Sequence, residues 1–151
     1  MTLFDKGRDH VMALFRIVFG FLFLCHGASR LFGLFGARAA EFGAWPSWWA
    51  SLIQVVGGVL VTIGIATRPA AVLCSGSMAF AYFTVHQCGG LLPVENGGEA
   101  AVLFCWGFLL IAFADRGRWS VAGAVRRSPG GWKPQADAVD LPTSAPPGMG
   151  A

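Results

Sequence analysis

The sequence predicts an all-α integral membrane protein: a four-helix bundle with both termini cytoplasmic and a disordered C-terminal tail. Three observations carry this. Of 151 residues, 55% are hydrophobic and only 13% charged, outside the range of soluble globular domains. The mean hydropathy is +0.60. The charged residues are excluded from four apolar runs rather than thinned evenly, and basic residues gather at one set of run ends.

The runs cover residues 11–35, 48–65, 69–85 and 99–114. Crossing ~30 Å of hydrocarbon takes about 20 helical residues, so the first run is ample. The last two span only about 25 Å and need flanking residues, local thinning or little tilt. Ala37-Arg38-Ala39 imitates a signal-peptidase box, but it lies too far beyond the apolar stretch, and His26 and Arg30 intervene. The first run is therefore expected to be a retained helix.

Orientation follows from the basic residues. Lys6 and Arg8 precede the first helix, Arg68 sits in the tight turn between the second and third, and Arg116, Arg118, Arg126, Arg127 and Lys133 follow the fourth. These belong on the cytoplasmic side. The opposite loops hold Arg30, Arg38 and Glu41 in one and Glu95 without a basic residue in the other. The net charge of +3 thus reports topology and contact with anionic headgroups, not nucleic-acid binding. Cys25, Cys74 and Cys105 lie in spans and Cys88 in an outward loop, with no CxxC pair, which argues against structural disulfides and a cysteine-ligated zinc. Residues 1–120 form the membrane domain. Residues 121–151, rich in Pro, Gly and Ala, lack an apolar period and read as a disordered cytoplasmic tail, with Trp132 beside Lys133 either at the membrane interface or in solvent.

The stretch RIVFGFLFLCHGASRLFG places ionisable groups in oil. At ~100° per residue, Arg16, Gly20, Phe23, Gly27 and Arg30 share one face with His26 at its edge, and Cys25 points away. The glycines let another backbone approach, so this face packs inward. Helical side chains lean toward the N-terminus, which lets Arg16 snorkel to the cytoplasmic headgroups. Arg30 leans into the membrane and needs a partner. When each span is read in its own direction, His26, Arg30, Gln54, Tyr82, His86 and Glu99 fall in the outer third, and they form the candidate ligand-binding cluster. The inner half offers chiefly Arg16, which with Arg68 has a structural, orienting role. An Arg30–Glu99 structural ion pair and a ligand site are both open readings of the cluster.

Sharper chemistry has little support. His26 and His86 would be two axial haem ligands, or a metal site with Cys88 or Glu99, but no ligand spacing accompanies them, so neither haem nor metal is expected. Cys25 adjoins His26, and adjacent helical residues do not face each other. No catalytic residue is identified.

Together with IQVVGGVLVTIGIATRPAAVL, a third span containing Met78 and Ala81 and ending in His86, then NGGEAAVLF and DRGRWS, the chain resembles the DoxX family of small bacterial membrane proteins over about residues 11–120. The matching features are Arg16, His26, Gly27, Arg30, Gly57, Gly58, Thr67, Arg68, Gly117, Trp119 and Ser120. The family commonly has lysine at Arg30, which keeps the charge, and glutamate at Gln54, which leaves Glu99 as the main carboxylate for Arg30. The resemblance implies a multi-pass protein of the bacterial inner membrane. It also implies a membrane subunit working with redox partners, at most part of a quinone-linked oxidoreductase. A quinone headgroup is the implied small ligand, with His26, Arg30, Gln54 and His86 donating to its carbonyls. The alternatives are a non-catalytic scaffold or assembly protein and a small-solute carrier. The glycine-rich faces at Gly57, Gly58, Gly64 and Gly107 either close the bundle on itself or join two copies as a homo-oligomer.

The orientation is tested by thiol labelling. In intact cells a membrane-impermeant reagent should modify Cys88 but not a cysteine introduced by Ser128→Cys, and modification of the latter would invert the topology.

Overall fold

The computed structural model describes residues 3–115, 119–121 and 123–124. Among these there is no strand. Helix α1 spans Leu3–Phe32, α2 Ser47–Ile63 and α3 Thr67–Ala81. A π turn at Tyr82–His86 and a 3-10 turn at Gln87–Gly89 follow α3, then the single-turn α4 at Pro93–Asn96 and α5 at Glu99–Ala114. The tail read as disordered, the basic residues after α5 and Trp132 lie outside the described residues, Trp119–Val121, Gly123 and Ala124 excepted.

Helix α1 begins at Leu3, ahead of the apolar run, since no proline interrupts residues 3–10 and the single Gly7 is tolerated in a helix this long. Over Gly7–Phe32 it is, among the described residues, the one helix both long and apolar enough to cross a membrane. Helices α2 and α5 are apolar but shorter, at 17 and 16 residues. Helix α3 runs straight on into the π turn, so Thr67–His86 is one helical rod of about 30 Å.

The helices associate as two pairs, α1 along α2 and α3 along α5, joined by α2–α3 and α1–α5 contacts. Glycine sets the first pair. A Cβ on Gly58 would lie 2.8 Å from the Leu24 nitrogen and 2.9 Å from the Gly20 carbonyl oxygen. A Cβ on Gly20 would lie 2.6 Å from Thr62 Oγ1. The two backbones are therefore in direct contact, a packing mode that needs no large side chains. The face of α1 predicted to turn inward does so over most of its length, with Arg16, Gly20, Phe23 and Gly27 buried together with Ala13, but not at its C-terminal end, where Arg30 and His26 at the edge of that face are exposed. Cys25, on the other side, is only partly covered.

The second pair meets the first through rings. Phe23 packs edge-on to Phe108 at 4.6 Å, and Phe19 lies 5.0 Å from Phe104. Gly107 leaves room for the Phe19 ring, and Gly57 does the same for the Cys74 sulfur. Ser75 Oγ donates to the Cys105 carbonyl at 2.8 Å, so its hydroxyl is satisfied in the core. Between their ends the outward faces are largely apolar: Val18 and Phe21 on α1, Val56 and Val59 on α2, Val72 and Leu73 on α3, Leu103 and Trp106 on α5 are all exposed. Apolar side chains outside and polar ones inside is the arrangement a bilayer selects.

Gly58→Ala should lower the melting temperature in detergent, because overpacking against backbone costs about 1–3 kcal/mol. At Gly76 an added Cβ meets nothing within 4 Å, so Gly76→Ala should stabilise by about 0.5–1 kcal/mol through helix propensity. Similar responses at the two positions would show that the α1–α2 contact is not backbone-tight.

Candidate functional site

Two sets of polar groups occupy opposite ends of the bundle. At the end that holds the α2–α3 turn, called the inner end after the sequence expectation, the Arg16 side chain is 0% exposed, and its Nη1 lies 3.6 Å from Asp115 Oδ2. Its Nη2 donates to the Trp119 carbonyl at 2.9 Å. A side chain on Gly64 would strike both Arg16 Nη1 and Ser120. Gly64 is also left-handed, with φ 77°, where it ends α2 and donates to Leu60 O at 3.0 Å. The Trp119 ring stands edge-on to His10 at 5.3 Å, and Ser120 Oγ accepts from the Gly123 nitrogen at 3.0 Å.

This arrangement corrects the reading of Arg16 as a snorkelling residue. The guanidinium turns into the bundle because a buried carboxylate offers an opposite charge and a carbonyl a charge-assisted hydrogen bond in a low-dielectric site. Asp115 was missed in the sequence. The signal was present, however: an acidic residue at the end of the last apolar run stands at the same membrane level as an arginine near the start of the first.

At the opposite end, the outer one in the sequence expectation, five of the six candidate residues fall into two groups and Glu99 stands apart. Gln54 is buried at 5% exposure and packs on Gly27, where an added Cβ would lie 2.6 Å from Gln54 Cβ. Its Oε1 is buried and has no hydrogen-bond partner among the described residues. His26 precedes Gly27, Arg30 follows one turn later, and both are exposed. These three form the α1–α2 group.

The second group is organised by Asn96, a residue not singled out in the sequence. Asn96 Nδ2 donates to Gly90 O at 2.8 Å and to Tyr82 Oη at 3.4 Å. Its Oδ1 accepts from Gly98 N at 2.7 Å, and its carbonyl lies 3.3 Å from His86 Nδ1. Tyr82 donates to Leu91 O at 2.8 Å. The Asn-Gly-Gly sequence was the available signal, since an asparagine side chain commonly bonds the backbone two residues on. Tyr82 and His86 thus hold the outer loop onto the π turn. Glu99 is exposed at the start of α5, and Arg30 and Glu99 form no ion pair with each other among the described residues. Nor do the two groups share a hydrogen bond.

Arg30, His26 and the Gln54 amide supply hydrogen-bond donors and, among the described residues, one unpartnered acceptor, groups that can bond carbonyl or hydroxyl oxygens. Among the described residues no three His, Cys, Asp or Glu side chains gather as a metal site. Arg68 is exposed at the start of α3.

Helices apolar outside, polar inside and glycine-tight between α1 and α2 define a small helical membrane protein. The comparisons with known proteins name the kind. Residues 11–87 match the family model described as DoxX, and the chain belongs to that family. It is similar to an uncharacterized protein of Haemophilus influenzae, with 34% identity over 124 residues that cover 78% of this chain and 92% of that one. It is also similar to "Putative oxidoreductase CatD" of Bacillus subtilis, 38% identical over 86 residues, which cover 54% of this chain and 63% of that protein. No solved structure matches.

Arg16→Met or Asp115→Asn alone should cost about 3–5 kcal/mol by leaving a buried group uncompensated, and the double variant should cost less than their sum. Unfolding in detergent measures this, and additive losses would show that the two side chains are not coupled.

Proposed function

We propose that the chain is a four-span protein of the bacterial inner membrane that works with redox partners, its outward polar groups holding a quinone headgroup. Helices α1, α2, α5 and the rod from α3 through its π turn are the four spans, and the short α2 and α5 are accommodated by thinning or flanking residues. Their exposed apolar faces support this. The loops carrying Arg38 and Cys88 lie outside, and the α2–α3 turn lies inside with both termini.

The observation that carries the quinone reading is Gln54: a 95%-covered amide whose acceptor has no hydrogen-bond partner among the described residues, packed on Gly27 of α1, with exposed His26 and Arg30 on the same helix. A buried amide left unsatisfied costs about 1–3 kcal/mol, which a ligand hydrogen bond recovers. The reduced headgroup offers hydroxyl donors to Gln54 Oε1, and the oxidised one offers carbonyl acceptors to His26 and Arg30. The relative named as an oxidoreductase points the same way. In this reading electron transfer belongs to the partner protein, and the chain acts as its membrane subunit.

A short-chain quinone should raise the melting temperature of the wild-type protein in detergent, because a ligand stabilises the state it binds, by about 2.7 kcal/mol at 100 times Kd. His26→Ala and Gln54→Leu should lose this response while remaining folded. A wild type that does not respond to either redox form would leave the outer groups as a brace and the chain as a scaffold.

A further inference from the structure

On the α3–α5 side, away from both polar groups, an open groove of about 580 Å³ runs between the start of α3 and the end of α5. Arg68, Pro69, Val72 and Leu73 line one wall, and Ala112 and Phe113 the other. Its volume falls in the range of small-ligand clefts, about 300–1,000 Å³. The groove is graded in character. Arg68 stands exposed at one end, and every other lining residue is apolar. Buried Ala112 leaves the floor low between the exposed Val72, Leu73 and Phe113.

Three features say what fits. The cationic end lies where α3 begins and α5 ends, the same end as the Arg16–Asp115 pair, and the sequence leaving α5 continues with Arg116 and Arg118. Among the described residues no acidic side chain lines the groove, and Asp115, two residues beyond Phe113, is paired with Arg16. The apolar walls belong to the outward face of α3 and α5, so the groove opens sideways into hydrocarbon. A molecule complementary to it carries an anion at one end and an acyl chain at the other, and a guanidinium fork matches a phosphate. We infer that this groove is a binding site for an anionic phospholipid of the cytoplasmic leaflet, its phosphate on Arg68 and an acyl chain against Val72, Leu73, Ala112 and Phe113. The inference rests on α3 and α5 lying in the bilayer as proposed above.

The test titrates the full-length protein in neutral detergent with phosphatidylglycerol and with phosphatidylcholine of the same acyl chains, reading retained lipid by native mass spectrometry. Phosphatidylglycerol should bind at least about fivefold more tightly, the effect of one basic residue against an anionic headgroup. Arg68→Gln should abolish that preference. Val72→Trp, filling the groove from its exposed rim, should weaken retention of both lipids. Both variants should melt like the wild type without lipid, since neither position is buried. Equal binding of the two lipids by the wild type, or a preference that survives Arg68→Gln, overturns the site. Displacement of phosphatidylglycerol by equimolar glycerophosphate also overturns it, in favour of a free-anion site. Failure of the topology is separable: inverted thiol labelling with the preference intact moves the groove to the other leaflet, whereas expected labelling without the preference removes the groove alone.

Discussion

Taking a guanidinium out of water costs several kcal/mol unless its charge and its N–H groups are met, and Arg16 is wholly covered. The structure of the inner end follows from meeting that demand. Asp115 brings the end of α5 to α1, and the Trp119 carbonyl brings the segment after it. The end of α2 must then pass without a side chain, which is why Gly64 stands there, satisfying both the left-handed cap and the space for the arginine. One side chain thus touches every element at this end except α3, and α3 is fixed to α2 by the turn that Gly64 begins.

Glycine contact performs the corresponding task along the membrane axis. With the α1 and α2 backbones touching at Gly20 and Gly58, the relative height of the two helices is set to within a turn, and Gln54 is consequently held against Gly27, beside His26. The outer polar groups owe their placement to this register rather than to bonds among themselves. On the other pair the same result is reached by hydrogen bonds, with Asn96 tying the loop between the π turn and α5 to Tyr82 and His86.

The parts legible in the sequence were those governed by local periodicity. The buried face of α1 follows from the spacing of Arg16, Gly20, Phe23 and Gly27, and the helices follow from runs of apolar residues. What escaped was pairing across distance. Nothing near Asp115 shows that it meets a residue on α1, and the leaning of helical side chains pointed Arg16 the other way. Arg30 and Glu99 show the converse: opposite charges at one level are necessary for a pair but do not fix their facing. Asn96 was overlooked because a loop asparagine between glycines reads as punctuation, whereas here its side chain carries several of the bonds that order the loop.

The distance along the chain between Arg16 and what it binds has a consequence for biosynthesis. Arg16 and the Trp119 carbonyl are 103 residues apart. At about 5–20 residues per second, a ribosome makes Arg16 roughly 5–20 s before its partners exist. In that interval α1 is already in or near the bilayer with an unmatched cation, and reaching back to the headgroups is the way it can be tolerated. The ion pair to Asp115 and the bond to the Trp119 carbonyl therefore belong to the finished chain alone, and the inner surroundings of Arg16 are completed only when the segment after α5 has been made.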